Sequence, residues 1–377
     1  MNALLAPWTT PFGLPPFEAV TDDDWMPAVD EALSEAREAV AAITAGGEPP
    51  TFDNTVLALE LADRTLGRVL GAFWAAAGAD ANPAREAIER DLAPKLSAYG
   101  SEITANRALF DRIEALWEDR GALGLTPEQE RVLLLTHRGF VRSGARLEGA
   151  DAERMKAIKS RLSTLGTTFS QNLLADERAW SMPLSEEDLE GLPGFVVAAA
   201  RAAGEAAGAP GPVVTLSRSL IVPFLQFSPR RALRQRAYEA WTARGAGGGE
   251  TDNRAIAAEM LALREERARL LGFASFADWK LETEMARTPG AVRDLLMAVW
   301  RPAREAALRD AEVLEGMLRA DGLAGPLEPW DWRYYAERRR AAEHDLDEAA
   351  IKPFLRLDNM IGAAFACASR LFRLEFQ

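Results

Sequence analysis

Helix-start signals recur through the first half of this chain, and that recurrence constrains its fold more than any other feature. Asp22-Asp23-Asp24 stand before a run in which Trp25, Val29, Leu33 and Val40 return at helical spacing. Asp53 precedes a stripe of Val56, Leu59, Leu66, Val69, Leu70 and Phe73, and is expected to cap one long helix. Asn82-Pro83 places proline at the first helical position, where its missing N–H costs nothing. Thr126-Pro127-Glu128-Gln129 repeats the signal, and Gly46-Gly47-Glu48-Pro49-Pro50 is a clear break. The proline-rich residues 1–20 read as an extended arm whose Trp8, Phe12 and Phe17 dock on a surface. The expected class is mainly α, with a helical region over 1–175.

The pattern changes over 176–228, which reads as a small β-containing insertion. Residues 179–183, 213–216 and 220–227 are expected as short strands. Pro183, Pro212 and Pro223 suit edge positions, because proline cannot donate to a ladder. Residues 204–212 form a loop of small residues, and Ser228-Pro229 restarts helix. Glu186-Glu187-Asp188 read as a first helical turn capped by Ser185. Residues 229–377 are helical again, with a long helix after Thr288-Pro289. Gly245-Ala246-Gly247-Gly248-Gly249 is a flexible tip; it lacks the preceding strand and the Lys-Ser/Thr of a phosphate loop.

The richest stretch is Pro329-Trp330-Asp331-Trp332-Arg333-Tyr334-Tyr335-Ala336-Glu337. Asp331 is placed to cap a helix beginning at Trp332, with Trp330 and Tyr335 as a hydrophobic staple. Asp345 and Glu348 repeat the cap-x-x-Glu pattern, and Asp358 offers a third cap after Pro353.

These residues closely resemble the thimet-oligopeptidase-like zinc metallopeptidases, the family of oligopeptidase A and the bacterial peptidyl-dipeptidases. The resemblance rests on Trp330-Asp331-x-x-Tyr334-Tyr335-x-Glu337, then Asp345-Leu346-Asp347-Glu348 and Lys352-Pro353-Phe354. Phe354 stands where the peptidyl-dipeptidase branch usually has tyrosine. Phe52-Asp53-Asn54-Thr55, Phe140-Val141-Arg142-Ser143-Gly144, and Leu270-Leu271-Gly272-Phe273 with Met285-Ala286-Arg287-Thr288-Pro289 are similar to further family segments, in the family's order. The resemblance implies a two-lobed helical body around a channel that admits short peptides, and zinc-dependent hydrolysis of those peptides, with release of C-terminal dipeptides in one branch.

The chemistry that the resemblance implies has no carrier here. Such enzymes place two histidines and a general-base glutamate on one helix as H-E-x-x-H. This chain has 2 histidines, His137 and His344, far apart and without that spacing. His344 and Glu348 are i,i+4, with Asp345 and Asp347 between them, so a metal there is imaginable; the simpler reading is that His344 precedes the capping Asp345. His137 reads as a helix-packing histidine and the lone Cys367 as a buried, inert thiol. No Gly-x-Ser-x-Gly elbow is present. Arg230-Arg231 and Arg338-Arg339-Arg340 read as solvated faces or inter-helix ion pairs. No catalytic, metal-ligating or cofactor-binding residue is nominated, and no zinc is expected on this chain.

A formal charge of -13 disfavours nucleic acid and anionic membrane surfaces. The first residues lack the basic n-region of a signal peptide, and the expected location is cytoplasmic. From Phe372 the chain alternates through Leu374 and Phe376, as a half-buried strand does, and is expected to be a truncated N-terminal portion of a peptidase. The competing reading is a non-catalytic helical peptide-binding or scaffold protein, which an exposed strand edge opposes.

Overall fold

The computed structural model describes residues 2–80, 82–344 and 351–376. The chain divides into two compact units, Met1–Ala157 and Ile158–Gln377.

The first unit is all helix: α1 (Trp25–Ala45), α2 (Ala58–Ala62), α3 (Arg64–Ala79), α4 (Pro83–Ala105), α5 (Arg107–Glu118), α6 (Pro127–Ser143) and the start of α7 (Gly149–Ala179). The stripe foreseen on α1 is buried as read, with Trp25 edge-on to Phe73 of α3 at 5.4 Å. A second core joins Leu109, Phe110, Ile113 and Leu116 of α5 to Leu133 and Phe140 of α6. Asn82 and Thr126 cap α4 and α6 as their spacing predicts. Asp53 does not cap. Thr51 does so, exchanging bonds with Asn54 over a π-type turn at Phe52–Leu57, and the expected long helix divides at Asp63. The N-terminal arm docks through Leu4 and Trp8, with the Arg68 guanidinium donating to the Leu4 and Leu5 carbonyls; Phe12 points into solvent.

The second unit holds a two-stranded antiparallel sheet of β1 (Ser181–Pro183) and β2 (Val213–Thr215), with Met182 opposite Val214. It is covered by α8 (Gly194–Ala206), α9 (Arg218–Phe227) and α10 (Arg231–Thr242), whose apolar residues form one core with Met182 and Val214. Residues 220–227 are therefore helix and not strand. A short, continuous apolar run carries no decisive period. Leu220, Ile221, Phe224 and Leu225 bury one helical stripe, which outweighs the cost of Pro223 within the helix. Ser185 caps a 3-10 turn at Glu186–Leu189 as read. The small-residue loop begins later than expected, because Gly204 belongs to α8; a Cβ there would lie 2.1 Å from the Gly211 carbonyl oxygen.

The remaining helices among the described residues are α11 (Arg254–Leu270), α12 (Phe276–Leu281), α13 (Pro289–Ala320), α14 (Pro329–His344) and α15 (Leu357–Phe372). The glycine-rich tip before α11 is anchored at one end: the Gly245 N–H donates to Asp176 and its carbonyl accepts from the Asn253 N–H. Asp345 and Glu348 lie outside the described residues. Asp358 sits in the first turn of α15 without capping it.

Two expectations at the C-terminal end fail. Residues 373–376 form no strand: Arg373 closes α15 in the left-handed region (φ 56, ψ 36), and Phe376 stacks on Phe365 at 4.3 Å. An alternating pattern needs a neighbouring strand to become a ladder, and none stands beside it among the described residues. Cys367 is exposed and not buried, on a helix that has no buried residue.

Candidate functional site

The Trp330-Asp331 stretch opens α14, but one turn earlier than its sequence suggests. Pro329 is the first helical residue, which makes Asp331 the third. Its carboxylate reaches back to the Glu328 N–H at 3.2 Å, the acceptor half of a capping box, so it is not the N-cap. The expected staple is also replaced. Trp330 meets the edge of Tyr238 on α10, while Tyr335 packs on Leu314 and Leu318 of α13.

The main partners of Asp331 are two arginines on one face of α10. Arg231 donates from Nε to Oδ1 at 3.0 Å and from Nη2 to Oδ2 at 2.7 Å; Arg234 donates from Nη2 to Oδ1 at 2.9 Å. Asp331 and Arg234 are both fully enclosed. Arg234 also donates to the Trp330 carbonyl at 3.1 Å and the Ser228 carbonyl at 2.8 Å, and lies over the Tyr334 ring at 4.2 Å. Burial pushes the Asp331 carboxyl up, but the two guanidiniums outweigh it and hold it below the ordinary range.

Around this clamp α14 is tied to its neighbours by further polar contacts. Gln226 of α9 donates to Glu337 at 2.8 Å, and Glu337 pairs with Arg340. Arg339 reaches Asp310 of α13 at 2.8 Å. The Tyr335 hydroxyl donates to Asp321 at 3.0 Å, and Arg338 pairs with the same carboxylate. Burial, reinforced by that carboxylate, pushes the Tyr335 phenol up to about 12. The arginine runs thus resolve into ion pairs, several of them between helices, as their composition suggested. Arg231 and Arg234 were legible only as an i,i+3 pair on one helical face. Nothing local joins them to a carboxylate about a hundred positions on.

Chemically this is a lock and not a reactive centre. The Asp331 oxygens are taken by guanidinium and backbone donors, leaving no capacity for proton transfer near neutral pH or for ligating an ion. His137 is likewise committed. It is buried in the first unit, stacked on Trp117 at 4.5 Å, with Nε2 3.0 Å from Glu114. His344 is the last described residue of α14, and the metal imagined with Glu348 lies outside the described residues.

The clamp falls within a recognised sequence family. Residues 224–377 match Peptidase family M3. The chain is 31% identical to dipeptidyl carboxypeptidase of Escherichia coli over 385 residues, covering 100% of this chain and 56% of that protein. It is 31% identical to oligopeptidase A of Salmonella typhimurium, covering 97% of this chain and 55% of that protein. By these matches the chain is similar to peptidase family M3. It spans about half the length of the curated relatives it matches.

For an M3 peptidase the chemistry turns on a metal-bound water. The residues described here do not fit that group. Among them no cluster of three or more His, Cys, Asp or Glu side chains could hold an ion. What these residues do build is the α10–α14 clamp, with Trp330-Asp331 at its centre. None of the described helices is long and apolar enough to cross a membrane.

Proposed function

We propose that this chain is the N-terminal portion of a zinc metallopeptidase that hydrolyses short peptides, of oligopeptidase or peptidyl-dipeptidase type, the latter releasing C-terminal dipeptides. One observation carries the reading: the match to E. coli dipeptidyl carboxypeptidase runs along the whole of this chain while leaving close to half of that enzyme unmatched. In this reading the zinc ligands and the general base belong to the unmatched portion, and the present residues form helical framework. The clamp supports that division of labour, because its charged groups are saturated by one another. Short peptides are the proposed substrates, and the cytoplasm is the proposed setting, in line with one relative named as a probable cytosolic oligopeptidase A of Arabidopsis thaliana.

Metal analysis after dialysis, paired with a chromogenic peptide assay on the 377-residue chain, tests the reading. The expected result is no stoichiometric zinc and no cleavage. One tightly held zinc per chain, lost on replacing His344, or peptide turnover stopped by a chelator, would place the chemistry on these residues and overturn the division.

A further inference from the structure

α13 changes character along its length. In its second half Leu314 and Leu318 are 1% and 0% exposed, packed against Tyr335 of α14. In its first half Leu295, Leu296 and Trp300 are 67%, 60% and 58% exposed. Yet the two halves present the same stripe. At 3.6 residues per turn Leu296 lies about five turns before Leu314, and Trp300 about five turns before Leu318. The helix runs continuously between them, through Pro302. Among the described residues, the face that α14 covers therefore extends uncovered toward the start of the helix.

α15 repeats the situation. Met360, Ile361, Phe365, Leu371 and Phe372 are all exposed, and the helix has no buried residue. Its polar residues gather on a narrow side with Asp358, Asn359, Ser369 and Arg370, so apolar side chains occupy a broad arc. A helix of that composition normally lies inside a core. Contiguous exposed apolar faces of this kind mark surfaces made to be covered.

We propose that the open stripe of α13 and the apolar face of α15 seat the polypeptide that the M3 relatives carry outside the portion matching this chain, packed helix on helix. The proposal rests on the functional reading above. The relatives' lengths identify the occupant, since they hold close to half of their residues beyond the match. The continuity of the α13 stripe with the α14 contact supplies the mode, because the same ridge already accepts a helix at its other end.

The test mixes the 377-residue chain with a polypeptide comprising the portion of E. coli dipeptidyl carboxypeptidase outside its match. Light scattering reads complex formation, and hydroxyl-radical footprinting reads side-chain exposure. A one-to-one complex is expected, with oxidation of Trp300, Met360 and Phe365 falling severalfold and that of Trp74, exposed in the first unit, unchanged. The double variant Leu296→Glu, Trp300→Glu is expected to bind at least about tenfold more weakly, as removal of a buried aromatic anchor does. Both positions are exposed, so its unfolding midpoint should match that of the parent chain. No complex, or a complex of equal affinity with the variant, overturns the proposal. So does protection that arises in this chain alone and grows with its concentration, which would make a second copy the occupant. Zinc content and peptide hydrolysis are recorded separately. A complex that shields the face but cleaves nothing counts against the functional reading alone, and cleavage with the face unshielded counts against this one alone.

Discussion

The seam between α1 and α3 and the junction between α10 and α14 are both buried, yet they are built from opposite materials. Trp25, Val29, Leu33, Val69 and Phe73 close the first with apolar side chains. Arg231, Arg234 and Asp331 close the second with charge. An apolar seam tolerates small shifts, and each methylene buried adds to stability. A charge junction must first offset desolvation, so it holds only where every donor and acceptor is matched, and in return it admits one geometry. The Trp330-Asp331 pair sits at such a junction, where position matters more than gross stability.

The sharpest way to break the comparison is Asp331→Ala. It leaves two guanidiniums facing each other without a counter-charge, one of them fully buried, and should destabilise the second unit by about 3–5 kcal/mol. Loss of a simple N-cap would cost only about 0.5–2 kcal/mol. Urea unfolding of parent and variant separates the two. Replacing the whole cluster with apolar residues (Arg231→Met, Arg234→Met, Asp331→Leu) should recover most of that loss, since a buried ion cluster is often no more stabilising than well-packed hydrophobes. A triple variant as unstable as the single one would show that the charges themselves hold the junction.

The next test asks whether close packing also matters in the second unit. Gly204→Ala would drive a methyl group into the Gly211 carbonyl at 2.1 Å, so the loop before β2 must move. The expected cost is about 1–3 kcal/mol. An unchanged urea midpoint would mean that the loop yields freely, and that the charge junction dominates the stability of this unit.

Legibility follows the same division. The seam of α1 could be read from spacing because an apolar stripe repeats every turn, and the start of α6 because its cap lies beside it. The clamp could not, because Arg231 and Asp331 are meaningful only together and are joined by the fold. The helix at 220–227 is not legible as helix because its buried run is apolar on consecutive residues, where helical and strand patterns look alike. The strand foreseen at 372–376 and the buried Cys367 failed for a different reason: both readings needed neighbouring structure that is not among the described residues. The pattern describes a side chain's preference, and the neighbours decide its fate.

Acid should separate the two regions in order. Burial holds His137 below its ordinary value, with Arg146 and Arg120 acting in the same sense and Glu114 opposing them. Below about pH 6.5 the unfolded histidine takes up a proton that the folded one resists, so stability falls as pH drops through that range. Glu114 is raised by burial but held low overall by Arg146 and His137, so its contribution is lost only below about pH 4.3. Asp331, held low in the same way, gives up its contribution only below about pH 3.9. The first unit should therefore soften well before the clamp does, by at most about 1.4 kcal/mol per pH unit from a single histidine. His137→Phe keeps a ring between Trp117 and Phe110 and should flatten the stability profile between pH 7 and 5. Parallel profiles for parent and variant would remove His137 as the cause.

The smallest effect is expected where neither material is at work. Phe365 and Phe376 stack at 4.3 Å with an 11° tilt, yet both rings remain exposed. An aromatic pair can contribute about 0.5–1.5 kcal/mol beyond area burial, but water on both rings leaves little of the burial that normally accompanies it. Deleting residues 373–377 should therefore move the unfolding midpoint by no more than about 0.5 kcal/mol. The same deletion removes Leu374 and Phe376 from an already apolar surface and should reduce self-association measured by light scattering. The two readouts must diverge for the comparison to hold: solubility improves while stability stays level. If the shortened chain instead unfolds well below its parent, these residues belong to a packed core, and α15 is already covered by this chain alone.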